Sequence, residues 1–553
     1  MRTVRGLYRI LRDHVQRHET ERRRAAYIGV FILGLLLMLG AFRGLSAGNL
    51  SQSSSTVLNL QPFADPSGFV ATYNSNGNIS TSNTFFQSLG TNGRSCGTCH
   101  IVANAMGLSA AHAQAQFAAN GGSDPLFAAV DGANCPTDPQ LSASSHSLLL
   151  NNGLIRIGLT LPANVGIGHT VPAGDQFAIS AAHDPYGCAL VTDPNTGQTT
   201  VSVYRRPLPA TNLNFLSAVM VDGRETIAPL DSRSSFKANL FADLTHQAMD
   251  ASNGHAQAMP QLLINDPRLL PIVNFELGLH SAQIYNNSAG LLTAKGAQGG
   301  PFILSQQNYY PGINDVLGGD PTGAKFTSTI FTIFTPWLNL NAGQNSQGQD
   351  DTTLAREAIA AGESIFNSFP LRITVVRGLN DNSALTDPDN NGDASGDTDS
   401  DGDGAPVAAI MGTCGTCHDA PNVGDHSLPL PLDIGTSHPL ANEDNPQIAS
   451  ALSELSVPDL PVFEIDGCPD PFNPGQTKTV FTSDPGKALL TGKCVDLNRI
   501  KGPILRGLAA RAPYFHNGAA ATLDQVVDFY NQRFQMNLSD TQKRELVAFL
   551  KSL

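Results

Sequence analysis

The sequence predicts a mainly α protein of two halves with long loop-rich inserts, preceded by an apolar helix at the N-terminus. Three observations carry this. The pentapeptide Cys-Gly-Thr-Cys-His occurs twice, at residues 96–100 and 414–418, each near stretches of helical periodicity. Glycine (52) and proline (35) are plentiful while aromatic residues make up 7%, which suits short helices on ordered loops better than a large β-sandwich. An uncharged 18-residue run, "AAYIGVFILGLLLMLGAF", occupies 25–42. The expected division is 1–47, 48–345 and 346–553.

Residues 1–24 carry eight arginines against three acids. A basic segment followed by an apolar run reads as a signal peptide or a membrane anchor with a cytoplasmic N-terminus. Export to the periplasm is therefore expected. Beyond residue 47 the chain holds 24 basic and 44 acidic residues, a net charge of −20, which excludes nucleic acid as a partner.

Residues 48–85 are polar and read as an extended lead-in. "SAAHAQAQFAA" (109–119) reads as a short helix. Residues 120–205 read as an ordered insert with a small hairpin around "TTVSVYRR" (199–206). "FKANLFADLTHQAMDAS" (236–252) places Leu240, Leu244 and Ala248 on one helical face, and 296–350 reads as a crossover. A helix over 354–368 opens the second half. Two helices close it, and Thr522 with Gln525 and Ser539 with Gln542 give each a capping-box pattern. Leu523, Val526, Val527 and Tyr530 share one face of the first.

The pentapeptides carry the chemistry. Two thiols with two residues between them, followed at once by histidine, is the pattern that binds haem c covalently and ligates its iron. Cys96, Cys99, Cys414 and Cys417 are the expected attachment residues, and His100 and His418 the iron ligands, for two haem c groups. Four cysteines remain. Each pair lies within one insert, so Cys135–Cys188 and Cys468–Cys494 are the expected disulfides.

"VMVDGRE" (219–225), "QAMDASNGHAQA" (247–258) and "LRGLAARAPYFHNGAAATLDQVVDFYN" (505–531) resemble the bacterial di-haem cytochrome c peroxidase and MauG superfamily, in that family's order. The resemblance implies two cytochrome c-like domains, a peroxide site at the N-terminal haem and electron transfer through the C-terminal one. It also implies hydrogen peroxide as oxidant and a periplasmic electron donor or acceptor: a small cytochrome, a cupredoxin or a substrate protein. The family places an axial ligand 14 residues after the histidine of "PYFH". From His516 that position is Tyr530, which points to the MauG-like branch. A core aromatic at 530 and Met536 as ligand are the competing readings.

At the first haem, Gln247 matches a family glutamine, and Gln257 stands where the family has a glutamate. Lacking that carboxylate, the site has His255 as a substitute acid–base group. His112, His146, His169 and His183 are weak distal-ligand candidates, so an open first iron is expected. Val221 replaces a family tryptophan between the haems. Asp222 and Arg224 remain as structural or propionate-side residues. Arg206 and Arg511 fall where the family holds calcium. A separate acidic loop, with Asp387, Asp389, Asp397, Asp399 and Asp401, reads equally as a calcium site or a solvated loop. Two other functions fit the motifs: an O2-using di-haem oxygenase of the rubber-oxygenase kind, and a non-enzymatic electron-transfer cytochrome.

Overall fold

The computed structural model describes residues 56–340, 350–382, 407–473 and 475–553. The apolar run at 25–42, the boundary at 345/346 and Asp387, Asp389, Asp397, Asp399 and Asp401 lie outside the described residues. No helix among the described residues is long and apolar enough to cross a membrane.

The expectation of a mainly α fold is corrected: helix accounts for 30% and strand for 16%, with five sheets among the described residues. The strands come from period-2 runs of apolar and β-branched residues in the segments read as loops. Gly68–Asn74 pairs with Leu279–Asn286 across the first half, flanked by Phe63–Asp65 and Gly290–Leu291. The expected hairpin forms from Leu190–Thr192 and Thr199–Arg205, and the latter also pairs with Ile155–Thr160. Phe177–His183, from the N-terminal insert, pairs antiparallel with Val462–Asp466, from the C-terminal insert. The two inserts thus share one sheet. Beside it Cys468 and Cys494 form a disulfide, as expected. Cys135 and Cys188 are buried and unbonded.

The expected helices are present. α1 spans Ala110–Asn120, with the Ser109 hydroxyl accepting the His112 amide and Gly121 closing it in the left-handed region. α2 spans Phe236–Gly254 and buries Phe236, Leu240, Leu244 and Ala248, spaced four apart, against α3, Leu269–Gly278. α4 is Asp351–Ser368, α5 Leu523–Arg533 and α6 Asp540–Leu550. The capping box is complete at Ser539. At Thr522 only half forms, because the Gln525 side chain reaches Ala521 N instead.

Each pentapeptide has its own aromatic core. Phe85 and Phe275 pack at the first, with Phe85 6.1 Å from the His100 ring. Phe331, Phe366 and Phe549 pack at the second, with Phe366 6.0 Å from the His418 ring. Trp337, fully buried, stacks on Phe334 and donates its indole N–H to Ala294 O. Arg205 joins the halves. Its Nε and Nη2 bind both oxygens of Asp484 (2.7 and 2.9 Å), and its Nη1 binds Asp222.

α4 and α6 make the closest helix pair, and Gly362 permits it. A Cβ at that position would sit 2.0 Å from Glu545 O. Gly362→Ala must force the helices apart and should cost about 1–3 kcal/mol by overpacking. A lower midpoint in thermal unfolding checks this; an unchanged midpoint would show that the helices are not so closely apposed.

Candidate functional site

In both pentapeptides the chain makes the same tight turn. The amide before the first cysteine binds the threonine hydroxyl at 3.0 Å (Ser95 N to Thr98 Oγ1, Thr413 N to Thr416 Oγ1). The histidine amide returns to the first cysteine's carbonyl, also at 3.0 Å. Both thiols and the imidazole then border one cavity.

The imidazoles are clamped from behind. His100 Nδ1 lies 3.2 Å from Met106 O, and His418 Nδ1 lies 2.6 Å from Gly424 O. A carbonyl only accepts, so Nδ1 carries the proton and the Nε2 lone pair is free for a metal. Burial lowers both imidazole pKa values, His100 to about 4, which favours the neutral, ligating form.

Two cavities result, one beside each turn. Cys96, Cys99 and His100 line the first; Cys414, Cys417 and His418 line the second. The residues fit haem c: paired unbonded thiols, a clamped imidazole and an apolar lining. Arg506 strengthens the fit at the first cavity. It lines the wall at 2% exposure, and Nε, Nη1 and Nη2 all lack a hydrogen-bond partner, as a carboxylate-bearing ligand requires.

The cavities share a wall that includes Arg206, Pro207, Leu208, Val221, Lys501 and Arg511. Val221 thus stands between them. Arg206 donates to Leu108 O, Gly153 O and Arg511 O, and Arg511 to Ile504 O and Arg506 O. Guanidinium groups therefore take up the backbone carbonyls at this point of the fold. Asp222 is not free for a ligand, since it accepts from Arg205 and Arg224.

In the first cavity the structure brings together Gln247, from α2, and His255, its C-cap. Asp131, 4% exposed, binds His255 Nδ1 and Arg94 Nη1. Burial would raise the Asp131 pKa, but Arg94 and His255 outweigh it and hold it below the usual range. The hydrogen bond to Asp131 fixes the His255 ring through Nδ1 and leaves Nε2 on the other side of the ring. Gln257 is not part of this group. The backbone there turns to φ +54° and the side chain is exposed; only its carbonyl is engaged, by Thr91.

Sequence reasoning missed Glu276. It lines the first cavity from α3 at 5% exposure, with Oε2 unpartnered, and burial pushes its carboxyl up to about 8. A signal existed: Glu276 is the lone charged residue of α3, "LLPIVNFELG". His112, His146, His169 and His183 lie elsewhere in the fold. None lines the cavity, and both ring nitrogens of His146 bind backbone carbonyls.

Tyr530 lines the second cavity, as do Leu523, Val526 and Val527 on the same face of α5. Its ring stacks on Phe534 at 5.9 Å, and burial raises its pKa. Met536 and His516 line the same cavity.

Similarity to known proteins agrees with this geometry. The chain is 32% identical over 169 residues to the cytochrome-c peroxidase IdrP2 of Denitromonas iodatirespirans, covering 29% of this chain and 41% of that protein. It is 39% identical over 84 residues to the cytochrome c551 peroxidase of Nitrosomonas europaea, covering 15% and 24%. Over these stretches the chain is similar to bacterial cytochrome c peroxidases. The matched stretches span less than half the length of these relatives. No protein-family model matches the chain, and no solved structure does.

The site carboxylates set an acid limit on the fold. Asp131, Asp222 and Asp484 are all held below the ordinary range by buried arginines, against the effect of burial itself. A depressed folded-state pKa gives stability that is complete above the unfolded value, about 4, and is lost as pH falls through the lower folded value. The thermal midpoint should therefore drop steeply below about pH 4, and Asp131→Asn should lessen the drop. A midpoint that is flat down to pH 3 would contradict this.

Proposed function

We propose that the protein is an exported di-haem c peroxidase that reduces hydrogen peroxide at the first cavity with electrons arriving through the second. The observation that carries this reading is the asymmetry of two cavities with a common wall. The first presents Gln247 and His255, hydrogen-bonded to Asp131, beside its Cys-Cys-His turn. The second is mostly apolar and is lined by Tyr530 and Met536. The basic-then-apolar segment at 1–47 supports export.

The reaction is H2O2 + 2e⁻ + 2H⁺ → 2H2O, with the electrons supplied one at a time by a small cytochrome or cupredoxin. Haem iron, when bound, supplies the redox chemistry. The chain's own residues supply position and protons. His255, oriented through Nδ1 by Asp131, moves the proton at Nε2. The Gln247 amide hydrogen-bonds the oxidant, and Arg506 offers a buried positive charge for a haem carboxylate. At the second cavity Tyr530 would hold the haem iron through its phenolic oxygen, a donor that favours oxidised iron and lowers its potential.

Stopped-flow mixing of the reduced protein with peroxide tests the first assignment. His255→Gln should slow peroxide reduction by about 10²-fold or more and leave both reduced haem bands unchanged. Steady O2 consumption without any peroxide turnover would overturn the peroxidase reading.

The ligand assignment has its own test. Tyr530→Phe keeps the packing and removes the oxygen, so one haem spectrum should change and the other stay. If Met536→Leu alters a haem spectrum and Tyr530→Phe alters neither, methionine is the ligand.

A further inference from the structure

Beside the second pentapeptide lies a buried group of two acids and a histidine that the peroxidase reading does not use, although the histidine, His426, also lines the second cavity. Asp419 follows His418 directly, His426 comes from the same loop, and Asp315 arrives from the crossover. Their relative exposures are 0%, 1% and 1%. One ligand atom from each lies within 4.8 Å of the others.

Their hydrogen bonds are incomplete in one direction. Asp315 accepts Leu317 N (3.1 Å) and Gly319 N (2.7 Å). Asp419 Oδ1 accepts Ser427 N (2.6 Å). Asp419 Oδ2 accepts nothing, although it is 3.2 Å from His426 Nδ1. That nitrogen itself accepts the Leu428 amide (3.3 Å), so two electron-rich atoms face each other. His426 Nε2 has no partner either. Next along the chain, Asp425 is 0% exposed with both oxygens unpartnered, and Lys501 is the ammonium that acts on it.

Buried carboxylates without counter-charge are costly; they either pair, coordinate a metal or take up protons. Within the cluster Asp419 Oδ2 and His426 Nε2 remain without a hydrogen-bond partner, and all three side chains are buried. We propose that Asp315, Asp419 and His426 bind a divalent first-row metal ion, Zn²⁺ or Mn²⁺, beneath the second Cys-Cys-His turn. Two carboxylates and one imidazole suit such an ion, whereas calcium takes six to eight oxygens. Two other His/acid groups are weaker. In Glu225–His246–Asp250 and in His169–Glu464–Asp466 at least one member is exposed, and both histidines already bind a carboxylate.

The test uses the haem-loaded full chain. After desalting and incubation with Zn²⁺ or Mn²⁺, elemental analysis should find about one non-haem divalent ion per chain beside the haem iron. Asp315→Asn and Asp419→Asn should each cut that occupancy at least about tenfold and keep both haem absorption bands. His246→Gln should retain the ion. If the Asn variants do not fold, the wild-type protein decides: chelation should lower the thermal midpoint, and Zn²⁺ or Mn²⁺, not Ca²⁺, should restore it. The proposal falls if only haem iron is found, or if the ion leaves with His246 rather than Asp419. It also falls if Asp419→Asn leaves metal content and midpoint unchanged, the result expected of a protonated pair.

Discussion

The structure turns on the buried guanidinium of Arg205. It takes one carboxylate from its own half, Asp222, and one from the other, Asp484, and all three groups are almost wholly buried. Removing one partner from such a group leaves an unmatched buried charge, a loss of about 3–5 kcal/mol. The neighbours of this knot in sequence are Arg206 and Val221, which form part of the wall between the cavities. Electrostatic satisfaction at one point thereby sets the separation of the two Cys-Cys-His turns. Lys501 N, bound to Val221 O at 2.8 Å, extends the seam along the wall.

The two turns are built alike but face different linings. At the first, α2 and α3 bring Gln247, His255 and Glu276 to the cavity, and each can donate or accept a hydrogen bond. At the second, α5 presents leucine, valines and Tyr530. The same turn thus meets Gln247, His255 and Glu276 in one half and an aliphatic helix face with Tyr530 in the other. The difference lies in the helices that follow each motif, not in the motif.

Features set by local pattern were legible in the sequence. The pentapeptides, the amphipathic face of α2, the Ser539 capping box and the Cys468–Cys494 pairing all depend on residues close together in the chain. Features set by distant contacts were not. The run 177–183 pairs with 462–466, a partner no local window contains, so the strand content was underestimated. Counting ten residues on from Gln247 singled out Gln257, but the helix ends at Gly254 and the left-handed turn at 257 sends that side chain outward. His255 kept its place because Asp131, far off in sequence, holds its ring. Cys135 and Cys188 are buried without a bond between them: the Cys188 thiol reaches Asn134 O and the Tyr204 hydroxyl, and the Cys135 thiol the Thr137 hydroxyl.

The sheet shared by the two inserts bears on the order in which the chain can fold. Strand 177–183 must wait for a partner made only after both pentapeptides have been synthesised, and closing so long a loop is slow. Until then the first half cannot complete its packing, and its early strands remain open to pairing with the wrong edge. The same delay keeps Cys96 and Cys99 reachable on a chain not yet closed. A late-closing sheet is thus an interval during which covalent loading of the first site can precede burial.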